Sequence, residues 1–181
     1  MSNFPTQYNY IPNQKLLDVF LAGPKRLELA MEGLPADDWS AHPRPGKWSI
    51  QEIVLHLADA EIMGGARFRT ALAEPGGRFV VYDQDTWASE LGYVHASKRD
   101  VCDARLLFAA LRRSTGALLL ALPPDAWHRS GTHPEWGTLT VRQLLMLFSD
   151  HSERHIEQIL RLRSLLGNPT NLSPILELRL Y

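Results

Sequence analysis

A chain of 181 residues with ordinary apolar content can bury the core of one domain, and its composition gives no sign of disorder. Lys+Arg of 19 against Asp+Glu of 20 leave a formal charge of -1, and no Lys/Arg run tracks a phosphate backbone, so nucleic acid is not expected as a partner. The one cysteine, Cys102, excludes an intrachain disulfide, the polar start "MSNFPTQYNY" does not read as a signal peptide, and the longest apolar run, "GALLLAL", is too short for a bilayer. The expectation is a soluble cytoplasmic protein with no membrane partner.

Helical periodicity dominates the chain. A first helix is predicted over about Asn13 to Met31, with Leu16, Leu17, Phe20, Leu27 and Ala30 apolar and Pro24 inside it to kink or divide it. The second opens at "SIQE", where Ser49 caps the backbone and Glu52 reaches back, and "EPGG" ends it near Ala73. From Glu74 to about Ser97 the chain is long, aromatic and mixed. A short helical turn is predicted around Asp85 to Leu91, and "FVVY" is not assigned as a strand, for want of a second β segment. The third long helix is predicted from about Lys98 to Leu122, stopped by "PP". The connection "DAWHRSGTHPEWGTL" is rich in turn-formers. The fourth long helix opens on Thr140 and Gln143, another capping box, and runs to Gly167. The tail, about 168–181, carries Ile175, Leu176, Leu178 and Leu180, which need cover from the bundle or from a neighbouring subunit.

Four long amphipathic helices predict an all-α fold, a single four-helix-bundle domain over residues 1–181. A helix of about 24 residues spans roughly 36 Å. The 74–97 connection can cross that length when extended, so two consecutive helices can run parallel.

Seven histidines are present. His151 and His155 lie four apart in "SDHSERHIEQILRLR", on the helix face that carries Leu144, Phe148, Ile159 and Leu162. A buried imidazole is costly unless something satisfies it. His56 lies on the second helix, one turn past Ile53. Three imidazoles brought together in a bundle core suit a divalent metal, and three protein ligands leave one coordination position open. An H-x-x-x-H pair alone is common by chance, and Ser152 denies the zincin pattern. His42, His95, His128 and His133 lie in connections and are assigned to the solvated surface. Two readings of Asp59 stand open: a partner for a ligating histidine's free N–H, or a plain surface acid. Arg67 and Arg69 are assigned to a solvated face in preference to an anionic substrate, and Trp48 and Trp87 to packing.

The stretches "RPGKWSIQEIVLHLADAE", "RFRTAL", "VYDQDTWASEL" and "HSERHIEQI" resemble, in order and spacing, the DinB/YfiT-like superfamily of metal-dependent enzymes. The resemblance covers nearly the whole chain, Pro24 included. It implies an up-down-down-up bundle with a long crossover between the second and third helices. It implies a divalent metal, nickel or zinc, held by His56, His151 and His155, with "VYDQDTWASE" at the mouth of the site. It also implies a homodimer. Members close to the bacillithiol transferases carry extra histidines where this chain has Glu61, Arg154 and Gln158, which leaves the substrate class open. The expected function is a thiol-dependent S-transferase or a hydrolase. A metal-bound thiol, of the bacillithiol or mycothiol kind, or a metal-bound water would attack a small electrophile. The alternatives are a non-catalytic metal-binding stress protein and a metal-free bundle that binds a small molecule or a partner.

Overall fold

The computed structural model describes residues 10–175. Helix α1 (Asn13–Met31) follows Pro12 without a side-chain cap. Helix α2 (Ile50–Ala73) opens on the Ser49/Glu52 capping box, with the Ser49 N–H donating to Glu52 Oε2 at 2.7 Å. The short α3 (Gln84–Glu90) is capped by Asp83, which accepts from the Thr86 N–H. Reciprocal boxes open α4 (Lys98–Leu120, Ser97 with Asp100) and α5 (Val141–Leu165, Thr140 with Gln143). All these bounds fall within a turn of the predicted ones. Pro24 does not divide α1, which runs unbroken past it.

Side-chain pairings give the directions. Glu61 meets Arg112 and Arg69 meets Ser114, so α2 and α4 rise together. The Leu16 carbonyl accepts from Ser149 and the Ala30 carbonyl from Arg163, so α1 and α5 are also parallel. His56 faces His151 while Phe68 faces Phe148, so α2 and α5 are antiparallel. Leu21 occupies the space beside Gly116, and Gly23 lies against Phe108, so α1 and α4 are antiparallel too. The long helices therefore pack in the ring α1–α5–α2–α4, with the order up-down-down-up. The 74–97 segment, with α3 and a 3-10 turn at Tyr93–His95, is the crossover.

The 125–139 connection was expected to be irregular. It contains an antiparallel hairpin, β1 (Ser130–His133) and β2 (Gly137–Thr140), in the register His133↔Gly137. "FVVY" is not a strand, but Arg78 just before it bridges Thr132 in parallel. The Phe79 N–H donates to the Thr132 carbonyl at 2.9 Å, and the Thr132 N–H to the Gly77 carbonyl at 2.8 Å. Gly131 allows this approach: an added Cβ would stand 2.2 Å from the Phe79 ring. No helix among the described residues is long and apolar enough to cross a membrane.

Two apolar clusters fill the bundle, one around Phe20, Phe68 and Leu144, the other around Leu27, Leu57 and Ile159. In the tail, Ile175 packs on the first cluster and Leu172 on the second, and the Ser173 carbonyl accepts from Arg26 Nη2 at 2.9 Å. Leu176, Leu178 and Leu180 lie outside the described residues, as does most of the polar N-terminal stretch.

Arg112, 1% exposed, sits where the two clusters meet. Its Nε donates to Glu61 Oε2 at 2.6 Å, Nη1 to the Phe20 carbonyl at 3.0 Å and Nη2 to the Phe148 carbonyl at 2.8 Å. The Phe20 carbonyl is available because its usual helical donor is the N–H of residue 24, and proline has none. Gly23 leaves room, since a Cβ there would stand 3.3 Å from Arg112 Nη1. The guanidinium also lies over the Phe20 ring, 4.0 Å from its centroid. Burial pushes the Glu61 carboxyl up, and Arg112 opposes that rise. Arg112→Met would leave the Glu61 carboxylate buried and unpaired. It should cost about 3–5 kcal/mol in denaturant unfolding, and adding Glu61→Leu should recover a large part of the loss.

Candidate metal centre

The antiparallel packing of α2 on α5 brings one histidine of α2 against two of α5. His56 Nε2 lies 3.0 Å from His151 Nε2, which lies 3.2 Å from His155 Nε2. One ligand atom from each of the three lies within 4.8 Å of the other two. The Trp48 ring covers the group, with its centroid 4.9 Å from that of His56 and stacked 6.4 Å from that of His155. The remaining ring nitrogens differ. His155 Nδ1 donates to Gln158 Oε1 at 2.8 Å, which leaves the lone pair on Nε2. His56 Nδ1 is buried without a partner.

The surroundings keep all three imidazoles neutral. Desolvation, with His155 nearby, holds His56 down at about 3, and desolvation holds His155 at about 4. Burial first, then the other two rings, hold His151 well below the ordinary histidine range. Neutral imidazole is the form that ligates a metal. Ligand nitrogens around an ion with bonds of about 2.0–2.1 Å stand roughly 3.0–3.4 Å apart, and the two short N···N separations here fall in that span. The donor set fits a divalent cation.

Of the other sequence candidates, Asp59 does not orient a ligand. Its Oδ2 accepts from the Tyr93 hydroxyl at 2.5 Å, and the buried His56 Nδ1, one turn away on the same helix, has no partner. Glu61 is committed to Arg112, Arg154 pairs with Asp150 at 2.9 Å, and Gln158 holds His155. Trp87 packs on Tyr82, with ring centroids 4.4 Å apart.

Two cavities flank the histidines. One, of about 480 Å³, is bordered by His155, Trp48, Gln84, Asp85 and Arg161. The other, of about 600 Å³, is bordered by His151, Arg67, Tyr82, Gln84, His133 and Trp136. The 81–85 segment lines both, in the place expected of it. Two assignments to the solvated surface are corrected. Arg67 is 7% exposed and His133 is 5% exposed. The hairpin that went unrecognised in the sequence carries His133 onto the bundle and covers this face. A signal for Arg67 was present: Ala60, Met63 and Arg67 continue the helical stripe that starts at His56, and all three border the second cavity.

The sequence model of the DinB superfamily matches residues 20–159. The chain belongs to the DinB superfamily. YfiT of Bacillus subtilis is 29% identical over 154 residues, covering 84% of this chain and 85% of YfiT. Its solved structure, described as a probable metal-dependent hydrolase with an unusual four-helix bundle topology, superposes with a TM-score of 0.78 at 26% identity over 86% of this chain and 87% of that one. A protein of Oceanobacillus iheyensis with a description of the same kind is 24% identical over 136 residues, or 75% of this chain and 77% of its own. A mycothiol-dependent maleylpyruvate isomerase shares the fold at 13% identity, with a TM-score of 0.68 over 85% of this chain and 63% of its own.

The neutral histidines give metal-free protein an acid-sensitive fold. In the unfolded chain they take up protons near pH 6.5, and in the folded chain only near 3 to 4 for His56 and His155. The unfolded state therefore binds more protons between these limits. Stability is intact above about pH 6.5 and falls as the pH drops. His56 alone should account for about 2 kcal/mol between pH 7 and pH 5. Thermal unfolding of chelator-treated protein across this range should show at least that loss, and His56→Leu should shrink it by the His56 share while His151 and His155 keep the rest.

Proposed function

We propose that this chain is a metal-dependent enzyme in which His56, His151 and His155 hold one zinc or nickel ion, and that it transfers a small-molecule thiol to an electrophile. The observation that carries the reading is the convergence of three neutral imidazoles between two cavities. When bound, a divalent cation lowers the pKa of a coordinated thiol or water, which supplies a nucleophile at neutral pH.

The residues of the chain prepare that site. Gln158 fixes the His155 tautomer, Trp48 shields two of the rings from water, and the two cavities give separate approaches to the histidines. Transfer is favoured over hydrolysis because no carboxylate among the described residues is held within the histidine group itself. The acids nearest in sequence to His56 on α2, Glu52, Asp59 and Glu61, are held by Ser49 and His42, by Tyr93 and by Arg112. A water nucleophile profits from a general base, whereas a thiolate needs none for the attack. The description of YfiT supports the metal, and the thiol dependence named for the isomerase fits the same bundle. The setting proposed is the cytoplasm, where low-molecular-weight thiols are reduced, with no nucleic-acid or membrane partner. The assembly proposed is a homodimer; light scattering that shows monomer alone at micromolar concentration contradicts it.

The test loads the protein with zinc or nickel, offers a panel of cellular thiols with a generic electrophile, and follows conjugate formation. Wild type should turn over. His151→Ala leaves two ligands, so metal content should drop steeply and the rate with it. Equal rates for the two proteins would remove the metal from catalysis. Metal retained without turnover would favour the non-catalytic metal-binding protein.

A further inference from the structure

We infer that the cavity beside His151 is a carboxylate-binding subsite, in which Arg67, His133 and Tyr82 grip the anionic end of a small apolar acid and direct its other end to the histidine centre. As an account of the substrate it rests on the metal-enzyme reading above.

Arg67 is buried, yet only its Nε is used, donating to the Val80 carbonyl at 3.1 Å. Among the described residues its Nη1 and Nη2 have no hydrogen-bond or ion-pair partner. A guanidinium taken out of water and left open on one edge is costly unless something pairs with it. That open edge presents two parallel N–H groups, the geometry that receives a carboxylate.

His133 supplies a second donor. Its Nδ1 accepts from the backbone N–H groups of Glu135 and Trp136, at 3.2 and 3.3 Å, so the ring proton sits on Nε2. The Tyr82 hydroxyl has no partner among the described residues, and burial pushes its pKa up to about 12, so it keeps its proton beside Arg67. All three donors border one cavity with His151.

The rest of the wall selects the ligand. Met63, Leu147, Phe148 and Trp136 are apolar, which suits an aliphatic or aromatic body. Asp83 and Glu135 also border the cavity, both exposed, and disfavour a dianion such as phosphate. A volume of about 600 Å³ admits a small molecule.

The experiment titrates benzoate, benzamide and inorganic phosphate into the full chain by calorimetry, once after chelator treatment and once loaded with zinc. Benzoate should bind both forms, and benzamide and phosphate should bind at least about tenfold more weakly. Arg67→Gln should weaken benzoate by about 10- to 100-fold while zinc binding, measured by competition with a chelator, stays unchanged. Tyr82→Phe, which removes one hydroxyl, should weaken benzoate several-fold and serves if Arg67→Gln does not fold. Benzamide or phosphate binding as tightly as benzoate overturns the subsite, as does a folded Arg67→Gln protein with wild-type affinity. Benzoate bound only by the zinc-loaded form overturns it too, because the anion would then sit on the metal. If zinc fails to bind while chelated protein still takes benzoate, the metal reading falls and the subsite stands.

Discussion

Among the described residues, Arg112 is the side chain whose hydrogen bonds tie all four long helices to one another. It belongs to α4, pairs with Glu61 of α2, and donates to carbonyls of α1 and α5. A fully buried guanidinium is tolerable only if most of its donors are met. Each partner is prepared by a local feature of sequence: Pro24 frees the Phe20 carbonyl, Gly23 gives the space, and Glu61 balances the charge. The contact also constrains topology. In an up-down-down-up ring the consecutive pairs α1/α2 and α4/α5 do not pack side by side, so short loops cannot impose the register of the bundle. A buried polar contact to all four helices can, because any helix that slips by a turn leaves a charge or a carbonyl unmatched.

The histidine centre stands on this junction. Glu61 lies little more than one helical turn beyond His56, and the Phe148 carbonyl that Arg112 holds lies three residues before His151. Arg112 is one of the charges that keep His151 neutral. Its pairing with Glu61 leaves that pair formally neutral, so no net charge from it opposes a cation that the three imidazoles ligate together. Three imidazole nitrogens facing one another out of water are poorly satisfied by hydrogen bonds alone, because each neutral ring has one donor and one acceptor. A single cation answers all three lone pairs at once.

How much of this could be read from residues alone depends on the range of each signal. The helices announce themselves locally, through Ser49/Glu52 and Thr140/Gln143 caps and apolar periodicity, and the His151/His155 pair through its spacing on one face. That His56 joins them required a likeness to a family, since nothing in spacing relates residue 56 to residue 151. The hairpin escaped because two four-residue strands around "HPEWG" carry too few alternating positions to stand out from a loop. Its loss hid His133 and left Arg67 apparently facing water. Asp59 stayed open between two readings for a related reason: Tyr93, its partner, lies 34 residues away in the crossover, whose course the sequence does not reveal. Arg112 looks like any helix-surface arginine until the three other helices are placed.

The hairpin in turn governs the mouth of the site. Thr132 pairs with Gly77 and Phe79, and Arg67 Nε holds the Val80 carbonyl, so the crossover is tied to the hairpin on one side and to α2 on the other just before it lines both cavities. The segment from 81 to 85 leaves those anchors in a defined direction and is stopped by the Asp83 cap of α3. A loop so fixed loses little further freedom when a small molecule binds, which favours affinity and a definite approach to His151. The same Arg67 that anchors the loop through Nε borders the cavity with its two remaining donor groups unused, so in the proposed subsite one side chain sets both the position of the mouth and the recognition of what enters it.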